Sequence, residues 1–129
     1  MLLTIFLGCV TTIPTFFLNR IALDGFQVDR DFYIRYGAPV LEETLKAMYV
    51  VYLMKRKRIG FVVDAAMYGF AIGAGFSFIE NLYYLQSLPG QELFLWAARG
   101  LGTAIMHGGT TALFAIITKS LSDRASTPR

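Results

Sequence analysis

The chain has 129 residues, 55% of them hydrophobic and 15% aromatic, with a net charge of +3 and a mean hydropathy of +0.51. Only 16% are charged, against roughly a quarter in soluble domains, which leaves too little polar surface to coat a globule and makes lipid the solvent for most of the chain. The one cysteine, Cys9, excludes an intramolecular disulfide and a thiolate metal cluster.

In chain order, Met1 to Asn19 is an uncharged run long enough to cross hydrocarbon, for which roughly 20 residues suffice. It lacks the basic start of a secretion signal and contains Pro14, so it reads as a retained helix. The loop Asp24 to Asp31 follows, mixed in sign. A second apolar segment, roughly Phe32 to Met54, is interrupted by charge. Within it Pro39 lacks a backbone donor, which predicts a kink that frees the carbonyl of Arg35 and opens a polar spot beside Glu42 and Glu43. The basic tract Lys55, Arg56, Lys57, Arg58 separates it from a third segment, Phe61 to Leu85. Ser87 to Gln91 forms a short turn, and Gly100 to Thr118 is a clean fourth span. The polar tail from Ser120 to Arg129 is expected to fray.

The dense basic tract places its loop in the cytoplasm by the positive-inside rule, which puts Lys119, Arg124 and both termini on that side. The fold class is therefore all-α, a polytopic transmembrane bundle of about four spans over residues 1–119 with a cytoplasmic tail at 120–129. Small residues at spacing four, Ala65, Gly69, Gly73 and Ser77 on one span and Gly100, Ala104, Gly108 and Ala112 on the next, predict close packing of those two helices.

The functional signal is charge where charge is costly: Glu42, Glu43 and Lys46 on the second span, Glu80 on the third, Arg99 and His107 on the fourth. Lys46 is within one turn of both carboxylates and pairs with one, leaving the other over. Glu80 shares a helix face with Gly69 and Gly73 and so points into the bundle. Arg99, Thr103, His107 and Thr111 recur at spacing four. Helix rise puts Glu43 and His107 at one level, each twelve residues from a basic anchor, or roughly 18 Å. Counted from Arg58, Glu80 lies roughly 33 Å up, nearer Arg99. Either the third helix starts later than Phe61, near Asp64, and brings Glu80 to the site, or Glu80 pairs with Arg99 above it; the late start is the expectation.

The order of motifs, Glu42-Glu43-Thr44-Leu45-Lys46, then Asp64 with a glycine-rich run to Phe76-Ser77-Phe78-Ile79-Glu80-Asn81, then Arg99 and His107, resembles the PrsW family of intramembrane proteases, distant relatives of the CAAX prenyl proteases. The resemblance covers about Ala38 to Thr118. It implies an intramembrane endopeptidase in which a glutamate of the 42–43 pair activates water, Glu80 stands where the CAAX relatives have a water-holding histidine, and His107 matches the last motif. Thr111 stands where those relatives commonly carry an asparagine thought to bind the oxyanion. Arg99, Thr111 and Asn81 are the candidates for substrate or oxyanion binding.

PrsW enzymes are usually grouped with metalloproteases, and the CAAX relatives are described as glutamate-type without metal. The cofactor is thus either none or zinc, with Glu43, Glu80 and His107 as its ligands if a metal is used. The partners implied are the lipid bilayer and a membrane-protein substrate, such as a single-pass anti-sigma-factor-like regulator. No nucleic acid is expected, and an oligomer is left open. Family members carry more than four spans, so the chain reads as a fragment or a small version. The rival readings are a proton-coupled carrier, whose ionisable groups would be strung along the bilayer normal, and a scaffold for a transmembrane partner.

Overall fold

The structure is a computed structural model describing residues 1–25, 29–56, 58–87 and 93–126. Its helices are α1 (Leu2–Gly25), α2 (Arg30–Phe32), α3 (Ala38–Lys55), α4 (Val62–Ser87) and α5 (Leu93–Ser126), with a π-helical turn, Tyr33–Gly37, joining α2 to α3. Three are long and apolar enough to cross a membrane, at Leu2–Gly25, Val62–Gln86 and Leu93–Ala125. The helix α3 carries Glu42, Glu43, Lys46 and Lys55. With α2 and the π-turn it forms a continuous helical rod from Arg30 to Lys55, because the residues at both junctions keep helical backbone angles.

Glycine fixes how the helices pack. A β-carbon on Gly69 or Gly73 of α4 would fall on the α5 backbone at Thr111–Ala112 and at His107–Gly108. Those two close approaches set α4 and α5 antiparallel, with small residues of both stripes at the contact. A second interface lies on another face of α4: a β-carbon on Gly8 would strike the Ile72 carbonyl, and one on Gly75 the Ile5 carbonyl. The Cys9 thiol donates to the Gly75 carbonyl at 3.2 Å. Further along, Phe16 meets Tyr83 edge-on, so α1 runs parallel to α4. Lys46 and Glu43 of α3 reach His107, while Val50, Leu53, Ile59, Ala65, Ile72 and Ala115 form the buried apolar core below them. The amino terminus, the start of α4 and the end of α5 therefore share one end of the bundle.

Several local expectations change. Just before Pro39 the chain absorbs one extra residue in the π-turn, where the Ala38 amide bonds back to the Tyr33 carbonyl. Pro39 follows directly after the π-turn, at the start of α3. The third span starts slightly before Asp64, whose carboxylate accepts from the Phe61 amide at 2.9 Å and caps the helix. Residues 120–126 do not fray but continue α5, with Lys119 paired to Asp123 one turn on. The expected turn at 87–91 lies largely outside the described residues.

Candidate functional site

The centre of the site is His107 on α5, 6% exposed. Its Nδ1 lies 2.9 Å from Glu43 Oε1, and its Nε2 lies 3.2 Å from Glu80 Oε2. The imidazole is thus gripped between a carboxylate of α3 and one of α4. The Glu80 contact is not aligned as a hydrogen bond, and Glu80 Oε2 is otherwise without a hydrogen-bond partner, so it retains acceptor capacity toward a further donor.

Lys46, fully buried, sits beneath. Its Nζ is 2.8 Å from Glu43 Oε1 and 2.8 Å from His107 Nδ1, and 3.7 Å from the centre of the Phe76 ring. A cation over an aromatic face and against a carboxylate is compensated on two sides. His107 Nδ1 cannot both accept from Lys46 and donate to Glu43. With Nδ1 bare, it accepts a hydrogen bond from the Lys46 ammonium, and Nε2 carries the ring proton, facing Glu80 without an aligned bond. With both nitrogens protonated, Nδ1–H donates to Glu43, and Lys46 is held by Glu43 alone.

Glu42 is separate from this cluster. It faces a cavity of about 730 Å³ whose wall also includes Glu80, His107, Asn19, Tyr33 and Phe76. Glu43 and Lys46 do not line it. The Asn19 amide donates to Glu42 Oε1 at 3.4 Å, and the Tyr33 hydroxyl donates to Asn19 Oδ1 at 2.8 Å. The cavity occupies the half of the bundle away from the Lys55–Arg58 loop. Phe16, Phe17, Ile34, Tyr83 and Met106 of its wall are themselves exposed, so it opens between helices toward the surroundings of the bundle.

The structure brings together Glu43, Glu80 and His107, sets Glu42 on the cavity wall that Glu80 and His107 also line, and places the three other candidates elsewhere. Arg99 is exposed, with its guanidinium 4.0 Å above the Tyr84 ring. The Thr111 hydroxyl is buried and donates to the His107 carbonyl at 2.8 Å. Asn81 is a brace between α4 and α5: its side-chain amide nitrogen donates to Ser77 Oγ at 3.1 Å and Thr103 Oγ1 at 2.6 Å, and its backbone carbonyl accepts from the Trp96 indole at 3.1 Å. Asn19 and Tyr33 were not singled out by the sequence. Asn19 ends an apolar run and reads there as a boundary, and Tyr33 carries no signal.

Carboxylates of α3 and α4 thus converge on one histidine of α5. The sequence profile of the PrsW family intramembrane metalloprotease matches residues 1–129. The chain belongs to the PrsW family. As a PrsW intramembrane protease it is a multi-pass membrane enzyme acting on a protein substrate. No curated protein and no solved structure matches the chain.

The PrsW description implies a metal. Two glutamates and a histidine are competent zinc donors, but their arrangement here does not fit one. The ring nitrogens of His107 face different carboxylates on opposite edges, and a lysine ammonium fills the space beside Glu43 and Nδ1. Among the described residues no three such side chains share a point that a metal could occupy.

Proposed function

We propose that this PrsW protease hydrolyses a peptide bond of a single-pass membrane protein with Glu42 as the general base. The observation that carries the reading is that Glu42, Glu80 and His107 line one cavity, while the Glu43 Oε1 atom is committed to Lys46 and His107. A base must reach the proton it removes. Glu42 is the carboxylate of the pair that faces the space where a water and a peptide bond fit.

In the proposed step, a water oriented by Glu80 and His107 loses a proton to Glu42 as its oxygen adds to the carbonyl carbon. An N–H of the His107 ring stabilises the oxyanion. Glu42 then returns the proton to the leaving nitrogen as the carbon–nitrogen bond breaks, giving a carboxylic acid and an amine, which exchange the remaining proton to leave a carboxylate and an ammonium. Glu43 and Lys46 act through His107 by fixing its ring, and are positioning residues.

The cavity's exposed apolar walls suit a substrate that arrives sideways from the bilayer, as a single-span protein would. With the basic tract in the cytoplasm, the cavity lies in the outer half of the membrane, and cleavage falls toward the outer end of the substrate's span. The test is incubation of the purified chain with a tagged single-span fusion. Glu42→Gln and His107→Ala are expected to abolish cleavage without loss of folding, and full activity of Glu42→Gln sinks the reading.

A further inference from the structure

We infer that Asn19 of α1 is a positioning residue for the water-activating carboxylate, with Tyr33 setting the direction of its amide. The inference rests on the reading of Glu42 as base and extends the catalytic apparatus to the first helix, beyond the three motifs.

The geometry is a chain of three side chains from three elements. Tyr33 O–H donates to Asn19 Oδ1 at 2.8 Å, and Asn19 Nδ2 donates to Glu42 Oε1 at 3.4 Å, all at the wall of the same cavity. An asparagine amide alone can turn either its oxygen or its nitrogen to a neighbour. A hydroxyl whose proton points at the oxygen leaves the nitrogen as the end that meets Glu42. The Asn19 contact is long, as catalytic hydrogen bonds often are before substrate binds and tightens them.

The backbone is shaped to bring Tyr33 there. Tyr33 and Glu42 are nine residues apart, so on an uninterrupted α-helix of about 3.6 residues per turn they would point to opposite sides, about 180° apart. The π-turn Tyr33–Gly37 takes up one extra residue, which leaves about eight effective residues and an offset of about 80°. The ring then lies across Gly37, where a β-carbon would come within 2.6 Å of Tyr33 Cδ2. A glycine, a π-turn and a proline just after it thus serve one outcome, a tyrosine hydroxyl delivered to Asn19. Single π-turns inside helices are frequent at functional sites.

The experiment measures kcat and KM separately on the full chain in detergent, with a fluorophore- and quencher-flanked single-span peptide that the wild-type chain cuts. Asn19→Ala is expected to lower kcat on the order of tenfold with KM unchanged, because a misdirected base costs rate more than binding. Asn19→Asp preserves shape but removes the donor and faces Glu42 with a second carboxylate, so it should be no better than Asn19→Ala. A space-filling role predicts the reverse order. Tyr33→Phe is expected to lower kcat roughly threefold alone and to add nothing in the Asn19→Ala background, since both act through one carboxylate. Wild-type kcat in Asn19→Ala, or Asn19→Asp more active than Asn19→Ala, overturns the inference. Glu42→Gln is the control: if it cuts normally, the reading of the base is wrong, whereas inactive Glu42→Gln beside fully active Asn19→Ala removes only the role of Asn19. If Asn19→Ala melts early, Tyr33→Phe carries the same test from outside α1.

Discussion

Glu80 Oε2 lies 3.2 Å from His107 Nε2, although it is Gly73, seven residues earlier on α4, whose backbone abuts the His107 carbonyl. Helical side chains lean toward the amino terminus of their own helix. In an antiparallel pair each side chain therefore leans toward the other, and two long residues meet across two turns of offset. This is why counting Cα positions from the basic loop sets Glu80 too far away, and why it still closes the site.

The same glycine contact makes a stability prediction. Gly73→Ala places a methyl on the α5 backbone and forces the helices apart, at a cost of about 1–3 kcal/mol. Cleavage should fall with it, because His107 and Glu80 separate, although Gly73 touches no substrate. Gly102→Ala has nothing near its new methyl and should leave the melting midpoint in detergent unchanged or slightly raised. Equal midpoints for the two variants would show that the helix pair is looser than its backbone contacts imply.

Much of this was legible in the sequence, and the remainder was hidden for identifiable reasons. The small-residue stripes and the interior direction of Glu80 follow from periodicity, and the backbone contacts of Gly69 and Gly73 bear out the first. Arg99 illustrates the limit. Spacing of four drifts about 40° per step around a helix, so Arg99 is turned about 80° from His107 and finds Tyr84 instead. The place of Asn19 depends on α1 running parallel to α4, a relation set by Gly8 and Gly75. Tyr33 depends on a π-turn that no periodicity announces.

Orientation can be read by labelling. Because the start of α4 and the end of α5 share an end of the bundle with Met1, a cysteine at position 91 and one at position 58 should be labelled from opposite sides of the membrane. The positive-inside rule makes position 58 the cytoplasmic one. A probe that reaches position 91 only from the cytoplasm would reverse the assignment and move the cavity to the inner half.

Metal dependence has a direct readout. With both His107 nitrogens against carboxylates and Lys46 beside them, phenanthroline is expected to leave cleavage unchanged, and elemental analysis of the purified chain to find well under one zinc per molecule. Zinc at about one per chain, lost together with activity in chelator, would show that Lys46 and the carboxylates rearrange around a metal.

The Glu43–Lys46 pair gives the sharpest energetic test. From sequence alone Glu43→Gln is expected to leave folding intact, whatever it does to cleavage, since a neutral amide is easier to place in an apolar interior than a carboxylate. The packing argues otherwise: Lys46 is completely buried, and Glu43 Oε1 is the carboxylate oxygen it touches, at 2.8 Å. Removing that charge strands an ammonium, and breaking a buried pair from one side typically costs about 3–5 kcal/mol. Glu43 is partly exposed, at 29% for its side chain, so the lower end of that range is the one expected. Lys46→Met leaves Glu43 near its own exposure and keeps a flexible apolar side chain over Phe76, so it should cost less. Combining the two removes both charges. The double variant should melt above Glu43→Gln, a non-additivity that only a direct interaction produces, while its loss of ring positioning at His107 keeps cleavage low. Thermal midpoints of the wild type, both single variants and the double in one detergent decide it: strictly additive losses would mean that Lys46 draws its compensation from elsewhere in the bundle.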